Sequence, residues 1–175
     1  MKRYVLLLMI LLGVTSLSKS QTIHPTLFLK LFTLTNHDGP VTNINKALKG
    51  LSGTWRLIGY EEVNGVVDTK WQYKAQSQTI PSAEFFMTST DILGKLRHKV
   101  AYNFLDKALY QTYLTKISTL EGAKVAHTSI EDDGSTLTIY ETSNTVFVFR
   151  IHPVDLQLYG VKVTRSYTVE LYYNN

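Results

Sequence analysis

The sequence predicts an all-β fold: an antiparallel up-and-down barrel of about eight to ten strands, with a short helical turn before the first core strand. Three observations carry this reading. Eleven Tyr, seven Phe and two Trp stand among many Val, Ile and Thr, the residue types that suit a pleated, half-buried surface. Turn signals recur at short, regular spacing along the chain. The links between the strands read as too short for the crossover helix that a parallel pair needs. A sheet of this size must hide its edges, and closure into a barrel does so. An open two-sheet sandwich is the alternative.

The elements follow in order. Lys2 and Arg3 precede the apolar run Val5 to Val14, and Ser18-Lys19-Ser20 supplies small residues before Gln21. This pattern predicts a signal peptide over 1–20, cut between Ser20 and Gln21, and hence a secreted or periplasmic protein. The run is too short to span a bilayer, which takes about 20 apolar residues. Residues 21–49 form an N-terminal extension. Thr26 to Leu34 alternates like an extra strand, and Asn43 to Lys49 reads as a short helix closed by Gly50. Residues 50–175 hold the barrel.

Within the barrel, Thr54 to Glu61 is the first core strand, and Asn64-Gly65 turns it tightly into Val66 to Tyr73. Ala83 to Thr88 comes next. His98 to Phe104 and Tyr110 to Ile117 flank a turn at Asp106-Lys107. Val125 to Ile130 and Thr136 to Glu141 flank Asp132-Asp133-Gly134. Thr145 to Ile151, Asp155 to Tyr159 and Val161 to Tyr172 complete the set.

Composition narrows the function classes. The whole chain has a formal net charge of +4, but Lys2, Arg3 and Lys19 all lie in the leader. No basic stripe of the kind that grips phosphates is present, so nucleic acid is not an expected partner. The chain has no cysteine and no Asn-x-Ser/Thr site, which together fit a bacterial exported protein. About 155 residues can bury a sufficient core without disulfide staples. The five histidines are not spaced as metal ligands. Glu131-Asp132-Asp133-Gly134 lacks the calcium-loop pattern and is explained as a hairpin. No cofactor, no metal and no transmembrane segment in the mature chain are expected. Glu61 and Glu62 are adjacent on a strand and point to opposite faces, so they cannot act as a pair. No nucleophile elbow, Walker loop, nucleotide fingerprint or zinc-protease motif occurs.

The last strand carries the most information. Val161, Val163, Arg165, Tyr167, Val169 and Leu171 share one face, which is apolar and is predicted to point inward; Lys162, Thr164, Ser166, Thr168 and Glu170 share the other. An inward Arg165 needs a partner, because an unpaired buried charge is too costly. Either the guanidinium stacks on an aromatic ring, or Arg165 and the Tyr167 hydroxyl converge on a ligand carboxylate. Phe147 and Phe149 lie opposite Val146 and Val148, so that strand is apolar on both sides. Either its outer face is covered, by residues 24–34 for instance, or it offers a patch to a partner.

Gly53-Thr54-Trp55, following a short helical turn, resembles the Gly-x-Trp signature that opens the barrel of lipocalins and related calycins. The resemblance implies that Trp55 plugs the closed end and that Arg165 packs across it. Arg165-Ser166-Tyr167 is also similar to the Arg-x-Tyr pair of fatty-acid-binding proteins. The tight Asn64-Gly65 hairpin departs from that branch, and the closest likeness is to compact bacterial lipocalin-like domains. On this reading the protein binds a small apolar or amphipathic molecule in the barrel interior, with Leu57, Val163, Val169, Arg165 and Tyr167 as the candidate wall. The alternatives are an interaction module with a filled core and, third, a cavity enzyme acting on lipid-like substrates.

Overall fold

Eight strands and three helices make up the fold in the computed structural model, which describes residues 22–52, 55–73, 82–158 and 160–174. The expected signal peptide over 1–20, its expected cut before Gln21, and Gly53 with Thr54 lie outside the described residues.

The first correction concerns the N-terminal extension: the stretch expected as an extra strand is a helix, while the short helix expected over Asn43 to Lys49 does form and runs on through Gly50, which does not end it. Helix α1 is Pro25–Leu34. Pro25 sits at its first position, where a missing N–H costs nothing and the fixed φ already suits a helix. Pro25, Phe28, Leu31 and Phe32 are buried, a helical spacing that puts one stripe against the sheet. The alternation seen in Thr26 to Leu34 is equally a helical stripe with extra apolar residues. Thr35 closes α1 by donating its hydroxyl to the Phe32 carbonyl at 2.7 Å. Helix α2 is Pro40–Ser52, again opened by proline, with Ile44 and Leu48 fully buried.

The strands are β1 (Trp55–Val63), β2 (Val66–Tyr73), β3 (Ala83–Ile92), β4 (Lys95–Phe104), β5 (Lys124–Ile130), β6 (Thr136–Glu141), β7 (Thr145–Leu158) and β8 (Val161–Tyr173). All are antiparallel neighbours in one sheet of order β1-β2-β3-β4-β8-β7-β6-β5. The all-β antiparallel expectation therefore holds for the sheet. The closed up-and-down barrel does not: β1 and β5 are free edges, and β4 pairs with β8 rather than β5.

The reason lies in the segment after β4. Residues expected to form a strand at 110–117 form helix α3, Lys107–Ser118. Asp106 caps it, its carboxylate accepting from Ala108 N at 2.7 Å and Leu109 N at 3.1 Å. Leu109, Tyr110, Tyr113 and Ile117 are buried. This helix carries the chain away from β4, so β5 starts a second four-strand meander whose last strand, β8, returns to pair with β4. Strand β7 also runs on through Pro153 with a bulge between Pro153 and Leu156, where a break was expected.

The helices cover one face of the sheet. Its core is aromatic: Phe28 meets Phe85 edge-on at 6.3 Å and Tyr113 at 5.6 Å. Tyr113 lies 6.2 Å from Tyr102 and 5.7 Å from Phe104. Tyr110 contacts Tyr167 at 4.8 Å and Phe149 at 5.8 Å. Ile23 is pinned from both sides, donating its N–H to the Tyr102 hydroxyl at 3.3 Å and accepting from the Tyr113 hydroxyl at 2.6 Å. Buried side chains thus fill the layer between helices and sheet; each large one contributes about 1.5–3 kcal/mol. No described helix is long and apolar enough to cross a membrane.

Candidate functional site

The opposite face of the sheet carries no helix. Strand register aligns a polar row across it: Gln72, Glu84, Asn103, Thr168 and Arg150, from five adjacent strands. The row exists because alternation puts these five side chains on the face away from the helices, opposite the aromatic and aliphatic residues of the core. Glu84 is neutralised in place, with Lys70 Nζ at 2.6 Å and Gln72 Nε2 donating at 2.8 Å. Glu170 accepts from Arg150 at 2.6 Å and lies 3.3 Å from Lys99; Arg150 also reaches Glu131 at 3.6 Å. Pairing is what lets such charges sit half-buried.

Beside the row lies a pocket of about 420 Å³. Gln72, Glu84, Asn103, Ser166, Thr168 and His152 supply its polar side; Leu105 and Leu156 supply an apolar wall. Two polar atoms at its border, Asn103 Oδ1 and Ser82 Oγ, are buried with no hydrogen-bond partner among the described residues. Such groups cost free energy unless something satisfies them.

A Ser–His–Asp cluster sits nearby but has the wrong connectivity for nucleophilic catalysis. Ser135 Oγ donates to Asp133 at 2.9 Å and lies 3.0 Å from His152 Nδ1. In a working triad the imidazole stands between carboxylate and hydroxyl; here the hydroxyl stands in the middle and is fully buried. The backbone N–H and then the hydroxyl of Ser135 hold the Asp133 carboxyl below its ordinary range. The cluster fixes the Asp133-Gly134 turn. A second pair, Ser89 Oγ and His98 Nδ1 at 2.9 Å, has no carboxylate partner among the described residues, and burial lowers the His98 pKa.

The residues singled out from the sequence separate into three places. Arg165, Tyr167 and Val163 border one shallow pocket of about 350 Å³ that Lys107 and Lys162 also line. Val169 is fully buried beneath the helices, and Leu57 is exposed on edge strand β1. Arg165 is exposed rather than inward, because β8 extends past the end of β4 at Tyr167 and leaves it without a covering layer. Trp55 is buried as expected, but its neighbours are Tyr73 at 5.8 Å and Tyr102 at 6.3 Å, not Arg165. Phe147 and Phe149 are buried in the core on the helix side, while Val146 and Val148 are buried on the helix-free face. That strand therefore offers no exposed aromatic patch, and α1 does not cover its outer side.

The pocket residues Gln72, Glu84, Asn103 and Thr168 escaped the sequence reading. Polar faces were assigned to water, and a ligand was sought only along the apolar ones. The available signal was the run of polar residues at alternate positions of several adjacent strands, which lines up only once register is known. No family model, no curated protein and no solved structure matches this chain.

Proposed function

We propose that this chain is an exported small-molecule-binding protein that holds an amphipathic ligand in the pocket on the helix-free face of its sheet. One observation carries the reading. The helix-covered side is filled by its own side chains, whereas the other side presents a pocket of about 420 Å³ with an apolar wall facing a polar row. An apolar tail would lie along Leu105 and Leu156, and a polar head would meet Gln72, Asn103 and Thr168. Burying about 200 Å² of ligand apolar surface contributes roughly 5 kcal/mol, and each hydrogen bond to the row adds about 1 kcal/mol. Association costs offset part of this, so affinities between micromolar and millimolar are expected.

Calorimetric titration with single-chain amphiphiles of varied head group tests it. Leu156→Trp fills the pocket and should abolish the heat of binding while leaving the melting temperature nearly unchanged. Equal binding by the variant, or no uptake of any amphiphile by the wild type, would sink the proposal. A second reading draws on edge strand β1, where Leu57, Ile58, Tyr60 and Val63 are all exposed. An exposed apolar edge invites another strand, and under that reading the chain works through its surface and takes up nothing.

A further inference from the structure

Two hairpins end at the same end of the sheet, since Val66 of one stands opposite Thr90 of the other. Their turns share one backbone geometry. The β1–β2 turn uses Asn64 at φ 53° and Gly65 at φ 77°; the β3–β4 turn uses Leu93 at φ 55° and Gly94 at φ 77°. Asn suits the left-handed region because its side chain bonds locally, whereas Leu bears the full steric strain there. Nothing inside the fold compensates, for Leu93 is 99% exposed. Ile92 at 42%, Leu96 at 66% and, on the neighbouring hairpin, Val63 at 55% exposed surround it. A strained and fully exposed leucine among exposed aliphatics is an observation in search of a function.

The charges beside it give the partner. Lys95 stands opposite Ile92, and Arg97 opposite Thr90, nearest the tip. Neither makes an ion pair among the described residues, while Lys99 behind them is held by Glu170. One acid, Asp91, stands at the tip and keeps its charge, so Lys95 and Arg97 leave the tip cationic by one; the others are set back. Asp91 accepts from the Gly94 N–H at 2.8 Å, Asp68 accepts from Thr88, and Glu61 stands opposite Asp68, farther from the tip than Arg97; Glu62 is its neighbour on β1. A recess of about 650 Å³ opens alongside, lined by Thr88, Thr90, Lys95, Arg97 and Tyr172 among others, with room for a phosphate-bearing head group. Four aliphatic side chains on a protruding tip offer far less than the ~800 Å² per partner of a stable protein interface. A shallow apolar insertion flanked on one face by two cations suits an anionic bilayer surface.

We propose that the β3–β4 tip docks on anionic lipid, Leu93 entering the interface with Ile92 and Leu96, and Lys95 and Arg97 meeting the phosphates. The test is co-sedimentation with phosphatidylcholine vesicles with and without 30% phosphatidylglycerol, in 0.1 M NaCl. The chain without residues 1–20 is used, since their apolar run would bind lipid by itself and every described element lies beyond them. Binding is expected to the anionic vesicles only, and to weaken at 0.5 M NaCl. Leu93→Asn should reduce partitioning about tenfold while the melting temperature holds or rises, as the strain at the turn is relieved. Lys95→Gln and Arg97→Gln should each cost about fivefold. Leu156→Trp should bind vesicles as the wild type does, which separates this tip from the ligand pocket. No sedimentation with anionic vesicles, or equal sedimentation of wild type and Leu93→Asn, would overturn the proposal and leave the tip to a protein partner.

Discussion

Alkaline pH should unfold this protein through its buried tyrosines. Tyr102 and Tyr113 lie wholly inside the helix-covered core, where both hydroxyls bond the backbone of Ile23. Burial raises both pKa values well above the ordinary 10; the proximity of Tyr102 raises Tyr113 further, and the hydrogen bond with Ile23 only partly opposes the rise at Tyr102. The sign follows directly. Above pH 10 the unfolded chain loses these two protons while the folded chain keeps them, so the unfolded state binds fewer protons and stability falls as pH rises. The contribution is whole below pH 10 and is lost as pH climbs toward the folded-state values. Each tyrosine removes up to about 1.4 kcal/mol per pH step, so the pair removes about 3 kcal/mol between pH 10 and 11.5. Tyr110, pushed up to about 12 by burial and then by Tyr140 and Tyr167, acts in the same direction. Against a total stability of roughly 5–15 kcal/mol, this is a large fraction. Urea unfolding at pH 8, 10 and 11.5, followed by tryptophan fluorescence, measures it. The double change Tyr102→Phe and Tyr113→Phe should be less stable at pH 8, by about 1–3 kcal/mol for the stranded Ile23 groups, yet decline less steeply above pH 10. A wild-type midpoint that stays flat from pH 9 to 11.5, or an equally steep decline in the double variant, would refute the reasoning.

Three further outcomes are expected. Phe28→Ala removes a fully buried ring that joins α1 to Phe85 and Tyr113, and should cost about 3–5 kcal/mol in chemical denaturation; a loss under 1 kcal/mol would mean that α1 does not pack on the sheet. Asp106→Ala deletes the cap of α3 and should cost about 1 kcal/mol, with Asp106→Asn retaining most of the stability in thermal melts. Glu170→Ala strips Arg150 of its 2.6 Å partner and leaves it, among the described residues, Glu131 at 3.6 Å; roughly 2 kcal/mol should be lost, and Arg150→Met in the same background should recover part of it.

The sheet was largely legible from the sequence. Alternation in Ala83 to Thr88 and His98 to Phe104, and the turns at Asn64-Gly65 and Asp133-Gly134, marked strands that do form at those places. Of the helices, α2 was legible in part, over Asn43 to Lys49, whereas α1 and α3 were read as strands, for an identifiable reason. In Thr26 to Leu34 apolar residues recur both at two and at three-to-four positions, so periodicity alone leaves helix and strand equal, and Pro25 with its N-terminal helix preference was the unused arbiter. In α3 the β-prone Tyr110, Tyr113, Thr112 and Ile117 outweighed a readable cap at Asp106, and tertiary burial decided against propensity. That one misplaced segment cost the topology. A strand after β4 closes an up-and-down barrel, whereas a helix there lets β8 take the place beside β4. The site followed the topology. Arg165 was read as inward because its strand alternates cleanly, but alternation gives the face and not how far the neighbouring strand and helices extend to cover it.

Native mass spectrometry bears most directly on the claim that the helix-free face holds a ligand. The chain would be purified without denaturant from the cells that produce it, beside Leu156→Trp prepared in the same way. The account expects a small-molecule mass on the wild type, released by denaturant and absent from the variant. A bare wild-type mass, unchanged after incubation with single-chain amphiphiles, would contradict it.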